Sequence, residues 1–211
     1  MRHFKLLIVG LAFLTFAASQ TQDSVAATDN SDSFFRQIDK SSKLLLCSGN
    51  PNRDELAKKY PNAIYEENNE DWFTVDNDPV MNPDYLADLG EEETYRHLSE
   101  NQYEIIVDEF CPIGVIEQIR KHAPKLLRKG GLLVSKVCAP FRDLKKIKKK
   151  MLQNGFSKVI FATIPPGDPY WQKKASPDQI LEVFQRHEAK VPSTRLCNLP
   201  GTQWYEFVAV K

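Results

Sequence analysis

Apolar runs of strand length alternate with segments of helical spacing along most of this chain. Residues 43–47 (KLLLC) form an unbroken apolar run that ends in a turn. WFTV at 72–75 and the shorter DYLA at 84–87 follow as second and third strands. YEIIVDEF at 103–110 is β-branched, apolar and then abruptly acidic, which predicts a fourth strand with two carboxylates at its end. RKGGLLVSKV at 128–137 reads as a Gly-Gly turn into a fifth strand, SKVIFATI at 157–164 as a sixth, and QWYEFVAVK at 203–211 as a seventh.

Helices are expected between these strands, where the apolar period lengthens. One covers 51–60 (PNRDELAKKY), with Pro51 or Asn52 near its start, and another 91–100 (EEETYRHLSE). A third covers 113–127, where apolar residues recur at 113, 116, 119, 126 and 127 and Pro124 invites a kink. At 141–156, Phe141, Leu144, Ile147, Met151 and Leu152 share one stripe, and Asn154-Gly155 supplies the stop. The lysines from 145 to 150 fill the rest of that helix and read as a solvated outer face, with a membrane or nucleic-acid site as the alternative. SPDQILEVFQRH predicts a last helix, capped at Ser176 with Pro177 in its first turn.

The alternation predicts an α/β fold with a seven-stranded, mostly parallel sheet and crossover helices on both faces. The last two strands lack the spacing for a crossover helix and are expected to pair antiparallel at an edge. Ligands in such sheets bind outside the carboxyl ends of the strands, near the switch in strand order. The site candidates are therefore the residues that stand there.

Cys47, Ser48, Gly49 and Asn50 follow the first strand. A tight turn needs a residue free of a Cβ, and the N–H groups of the next helix suit a carboxylate or phosphate. Any strand-to-helix turn carries the same signature. Asp76 ends the second strand, where a carboxylate can accept both hydroxyl hydrogens of a ribose, and Asp88 follows the third, where it can take an exocyclic amine. Asn77, Asp78 and Asp84 fit turn chemistry, and Asp76 fits it equally. Asp108 and Glu109 end the fourth strand as candidates for a substrate-facing acid or base, against a plainer reading as water-facing caps.

Composition narrows the partners. Of 211 residues, 42% are hydrophobic and 27% charged, with 28 basic and 28 acidic side chains. One domain with a sizeable core is accommodated, and the basic excess of a duplex binder is missing, so no nucleic-acid partner is expected. Residues 1–19 (MRHFKLLIVGLAFLTFAAS) join a positive start, Arg2 and Lys5, to an apolar run from Leu6 to Ala18 and a small-residue end. That is the pattern of a secretory signal peptide, and the run is short of the roughly 20 residues a bilayer span needs. An uncleaved anchor and a buried helix are the alternatives. Residues 20–42 are rich in Ser, Thr, Asp, Asn and Gln and read as a flexible leader, in which Phe34, Phe35 and Ile38 could dock on the domain.

The cysteines, at 47, 111, 138 and 197, include no C-x-x-C pair, and the histidines make no H-x-H or H-E-x-x-H pattern, so no metal site is expected. In an oxidising compartment four cysteines permit disulfides; otherwise they serve as small buried residues.

KLLLCSGNP, FTVDNDPVMNPDYLADL, YEIIVDEF and LLRKGGLLVSKV, in this order and spacing, resemble the class I S-adenosylmethionine-dependent methyltransferases, a Rossmann-like superfamily. The resemblance covers about residues 43–163, and YEFVAVK fits the family's last strand. It implies S-adenosylmethionine as cofactor, held by Cys47, Ser48, Gly49, Asn50, Asp76, Asp88 and Asp108. In it Gly49 is the surviving loop glycine, Asp76 the ribose acid and Asp88 the acid near the adenine amine. Asp108 or Glu109 falls at the substrate-facing end of the fourth strand. Two departures stand out. Cys47 occupies the place of the family's usual first glycine, and the fourth strand lacks an N-P-P-Y-type sequence. In the family's sheet order Cys47, Cys111 and Cys138 follow neighbouring strands, so a Cys47–Cys111 or Cys111–Cys138 disulfide would replace cofactor contacts with a covalent brace.

On this reading the chain is an exported, S-adenosylmethionine-dependent methyltransferase-like protein, secreted or periplasmic. Its domain covers 43–211, and its methyl acceptor is not legible. The long segment 164–202, with PPGDPYW at its start, is either a lid or partner surface or an excursion packed on the sheet edge. The methyl donor is made inside cells, so export implies delivery into another cell or a fold that has lost catalysis and binds something else. An intracellular enzyme whose N-terminus plays another role is the third alternative.

Overall fold

The computed structural model describes residues 41–47, 72–108, 111–165, 175–197 and 199–211, and among them all seven predicted strands are present. They are β1 (Lys43–Leu46), β2 (Trp72–Asp76), β3 (Tyr85–Leu86), β4 (Tyr103–Asp108), β5 (Leu127–Ala139), β6 (Lys158–Ala162) and β7 (Gln203–Val210). The sheet runs β3-β2-β1-β4-β5-β7-β6. The ladders from β3 to β5 are parallel, whereas β7 is antiparallel to both β5 and β6. The expected antiparallel pairing is thus at this edge, with β7 wedged inside it and β6 outermost.

The helices are α1 (Glu92–Arg96), α2 (Ile113–Leu126), α3 (Leu144–Gln153) and α4 (Pro177–Arg186). Leu44, Phe73, Ile106, Ile119, Leu133 and Met151 belong to one buried cluster beneath α2 and α3. Leu45, Ile105, Val107, Val134, Ile180 and Phe184 belong to the other, beneath α4. Successive strand residues point to opposite faces, so these runs are apolar without alternation because both faces are covered. The expected helix at 51–60, the leader and the signal segment lie outside the described residues.

Three local departures from the sequence pattern have physical causes. The helix expected over 91–100 is a single turn, because Leu98 is drawn into the core and Asn101 takes a left-handed φ of 56° to turn the chain into β4. Leu152 leaves the apolar stripe of α3 and is exposed, since it sits roughly 100° around the helix from the buried Met151. α2 runs through Pro124 to Leu126, and the Arg120 carbonyl, which the proline cannot satisfy, accepts a hydrogen bond from Asn154 Nδ2 at 3.3 Å.

The Gly-Gly pair lies inside β5. Gly130 has φ 77°, and a Cβ on Gly131 would meet the Tyr103 carbonyl at 2.8 Å, where the β4–β5 register shifts. The proline-capped α4 carries a capping box, Ser176 against Gln179, and the chain after it pairs Glu188 with Ala162 on the outer edge of β6.

Candidate functional site

Parallel strands bring their carboxyl ends to one side of the sheet. There Cys47, Asp76, Asp78, Asp88, Leu89 and Pro112 line a cleft of about 230 Å³. Its position is the point where strand order reverses between β1 and β4.

Asp76 is the last residue of β2 and is only 5% exposed. Its Oδ1 accepts the Asp78 N–H at 2.9 Å, while its Oδ2 is buried with no hydrogen-bond partner among the described residues. A buried carboxylate oxygen without a donor costs about 1–3 kcal/mol, so among the described residues this is a place that calls for one. Asp88, in contrast, is exposed. Its Oδ1 accepts the Gly90 N–H at 2.7 Å and its carbonyl accepts the Thr94 hydroxyl at 2.6 Å, so it starts α1 as well as lining the cleft. Asp78 and Asp84 serve local geometry, as turn chemistry suggests. Asp78 caps the 3-10 turn Pro79–Met81 through the Val80 N–H, and Asp84 accepts from the Thr74 N–H and hydroxyl at 2.8 and 2.9 Å.

Cys47 follows β1 with a left-handed φ of 53° and donates its N–H to the Val75 carbonyl at 3.0 Å. A non-glycine residue in that region is strained. It is held there by a disulfide to Cys111, with a Cα separation of 5.2 Å. The bridge links the end of β1 to the segment after β4, whose strands already pair Leu46 with Asp108. The alternative Cys111–Cys138 bridge does not form. Cys138 is joined instead to Cys197, at a Cα separation of 6.1 Å, which pins the chain after α4 to β5.

Asp108 does not stand on the cleft wall. It is 1% exposed at the end of β4, and its Oδ2 is without a partner among the described residues. Burial pushes its carboxyl up to about 6, against the opposing pull of the Ser135 hydroxyl, Arg120 and Lys136. Arg120 is itself buried, 3.3 Å from Glu117 through Nη1, with its guanidinium 5.1 Å from the Phe207 ring. Nearby, His122 stacks on Tyr95 at 4.3 Å, and burial lowers its pKa. Ser48, Gly49, Asn50 and Glu109 lie outside the described residues, so of the sequence candidates Cys47, Asp76 and Asp88 are brought together, with Asp108 beneath them.

The polar residues that the sequence reading passed over are Arg120 and Glu206. Arg120 falls four residues after Ile116 and three before Ala123, a spacing that could have placed it on the buried face. Glu206 interrupts the apolar alternation of β7. It is 3% exposed, held by Arg195 at 2.5 Å, and also takes the Ile164 N–H at 3.5 Å. Among the described residues no group of three His, Cys, Asp or Glu side chains could hold a metal ion, and no helix is long and apolar enough to cross a membrane.

No family model matches the sequence, and no curated protein sequence matches it. Solved structures do match the fold. One is an S-adenosylmethionine-dependent methyltransferase from Archaeoglobus fulgidus, 11% identical, with a TM-score of 0.44 over 85% of this chain and 90% of that one. Another is the Haemonchus contortus phosphoethanolamine N-methyltransferase 2 in complex with S-adenosyl-L-methionine, 12% identical, with a TM-score of 0.43 over 85% of this chain. This chain spans about half of that enzyme, 51% of its length. A third is the spermidine synthase of Thermotoga maritima, 11% identical, with a TM-score of 0.42 over 83% of this chain and 56% of that one. At such identities the likeness concerns fold alone. The strand order and the antiparallel β7 make this a Rossmann-like α/β domain with a seven-stranded mixed sheet.

Proposed function

We propose that this chain is an exported methyltransferase-type protein whose cleft binds S-adenosylmethionine or a closely related adenosine compound. The observation that carries the reading is Asp76, buried at the end of β2 in the cleft lining with one carboxylate oxygen lacking a donor among the described residues. A ribose hydroxyl supplies such a donor, and Asp88 keeps an oxygen for an exocyclic amine. When bound, S-adenosylmethionine supplies a methyl group on a sulfonium sulfur. The chain's own part is to hold that group and a methyl acceptor in line and keep water out. Export is supported by the N-terminal pattern and by two disulfides, a bond type that persists in oxidising compartments.

A second reading, a binding module without catalysis, is favoured by the Cys47–Cys111 bridge in the cleft wall and by Asp108 lying beneath that wall. Calorimetric titration of residues 20–211 with S-adenosylmethionine and S-adenosylhomocysteine, in oxidising and then reducing buffer, tests both. Micromolar binding that Asp76→Ala abolishes supports the cofactor site. Binding without methyl transfer to any offered acceptor favours the module, and no binding in either buffer sinks the cofactor reading.

A further inference from the structure

A second cleft, of about 460 Å³, opens between α3 and the outer edge of β6, away from Asp76. Phe141, Leu144, Val159 and Phe161 form its apolar floor. This floor is held from below. The Phe141 ring packs on Tyr205 at 6.2 Å and the Phe161 ring on Phe207 at 5.8 Å, with both partners fully buried in β7. Ala189 closes the outer side and donates its N–H to the Phe161 carbonyl at 2.8 Å. A small side chain at that position leaves the groove unfilled.

The rim has a single dominant charge. Arg142, Lys145 and Lys148 line it, and none of them makes an ion pair among the described residues. Some other surface cations are paired, as Lys150 of the same helix is with Glu117 and Arg186 with Glu182. Among the described residues Glu188 is the one carboxylate in the lining and is unpaired too, so this lining keeps a positive excess. A preformed apolar floor of this volume with a few convergent charged groups is the usual make-up of a small-molecule site.

We propose that this groove binds a small amphipathic anion: an apolar ring or chain lying on Phe141, Leu144, Val159 and Phe161, with one carboxylate, sulfonate or phosphate head at Lys145, Lys148 and Arg142. The volume suits a molecule of about ten to twenty non-hydrogen atoms. Charge complementarity selects an anion over a neutral hydrophobe. This site is separate from the cofactor cleft, and its occupancy does not depend on that reading.

The test uses 1-anilinonaphthalene-8-sulfonate as the probe, followed by its fluorescence against residues 20–211 in oxidising buffer. Saturable binding of one probe per chain is expected, at least tenfold tighter than that of the neutral N-phenyl-1-naphthylamine. The double variant Lys145→Glu, Lys148→Glu, whose side chains are exposed, should weaken it at least tenfold with an unchanged circular dichroism spectrum. Ala189→Leu should weaken both probes by filling the groove. Decanoate should displace the sulfonate and inorganic phosphate should not. Equal binding of the two probes, or sulfonate binding indifferent to the lysine changes, overturns the proposal. So does capture by phosphatidylglycerol vesicles without uptake of free decanoate, which would mark a membrane surface instead.

Discussion

The two sides of this sheet each carry a disulfide and a buried carboxylate near the same end, and they treat them differently. At the cleft, Cys47–Cys111 braces strands that are already hydrogen-bonded neighbours, and the buried acids Asp76 and Asp108 each keep an oxygen without a donor among the described residues. At the antiparallel edge, Cys138–Cys197 ties down a long excursion, and the buried Glu206 is matched by Arg195 and the Ile164 N–H. Folding stability alone would favour the second arrangement everywhere, since an unpartnered buried acid is costly. The first arrangement therefore points to a demand other than stability.

The largest test of this contrast removes the bridges singly. They close spans of 64 and 59 residues, so the chain-entropy model assigns each about 4 kcal/mol. Cys138→Ser with Cys197→Ala should lower the denaturant midpoint accordingly and leave cleft binding unchanged. Cys47→Ser with Cys111→Ala should lower it by a similar amount and also change affinity at the cleft. Equal binding in both double variants would erase the distinction between the two ends.

Asp108→Asn comes next. The folded carboxyl titrates near 6 and the unfolded one near 3.8, so the folded state binds protons more tightly and stability falls as pH rises through that window. The cost, about 3 kcal/mol, is fully present above pH 6 and absent at low pH. The amide variant should flatten the pH dependence of urea unfolding and gain on the order of 1–3 kcal/mol at pH 7. Arg195→Ala should act in the opposite sense at the other end. It leaves Glu206 buried and unmatched, for a loss of about 2 kcal/mol in the same urea assay, discounted because Arg195 is 43% exposed. Smallest in stability is Asp76→Asn, expected to shift unfolding by under about 1 kcal/mol while weakening adenosine-compound binding at least tenfold by calorimetry.

The strands were legible because covered parallel strands need long apolar runs, and LLL, EIIV, LLV and VIF supply them. So was the position of Asp76, which follows from counting to a strand end. What remained hidden depended on distant parts of the chain. The partner of Cys138 is set by a hairpin whose turn relies on Gly201 at φ 73° and on the Leu196–Gln203 bridge, and no local spacing encodes that approach. The buried Asp108 feels the charge of Arg120 from α2, and a strand sequence alone does not reveal which distant groups surround its last residue. The brevity of α1 likewise reflects Leu98 being claimed by the core.

The place of β7 has a consequence for assembly in time. β7 follows in sequence both of the strands it joins, so β6 has no ladder to enter until residues 203–210 are available. Until then Val159, Ile160 and Phe161 form an apolar segment without a sheet, the kind of exposed strand that associates with other chains. Closure of this half of the sheet therefore waits on the return of the chain through 203–210, whatever ligand the finished cleft receives.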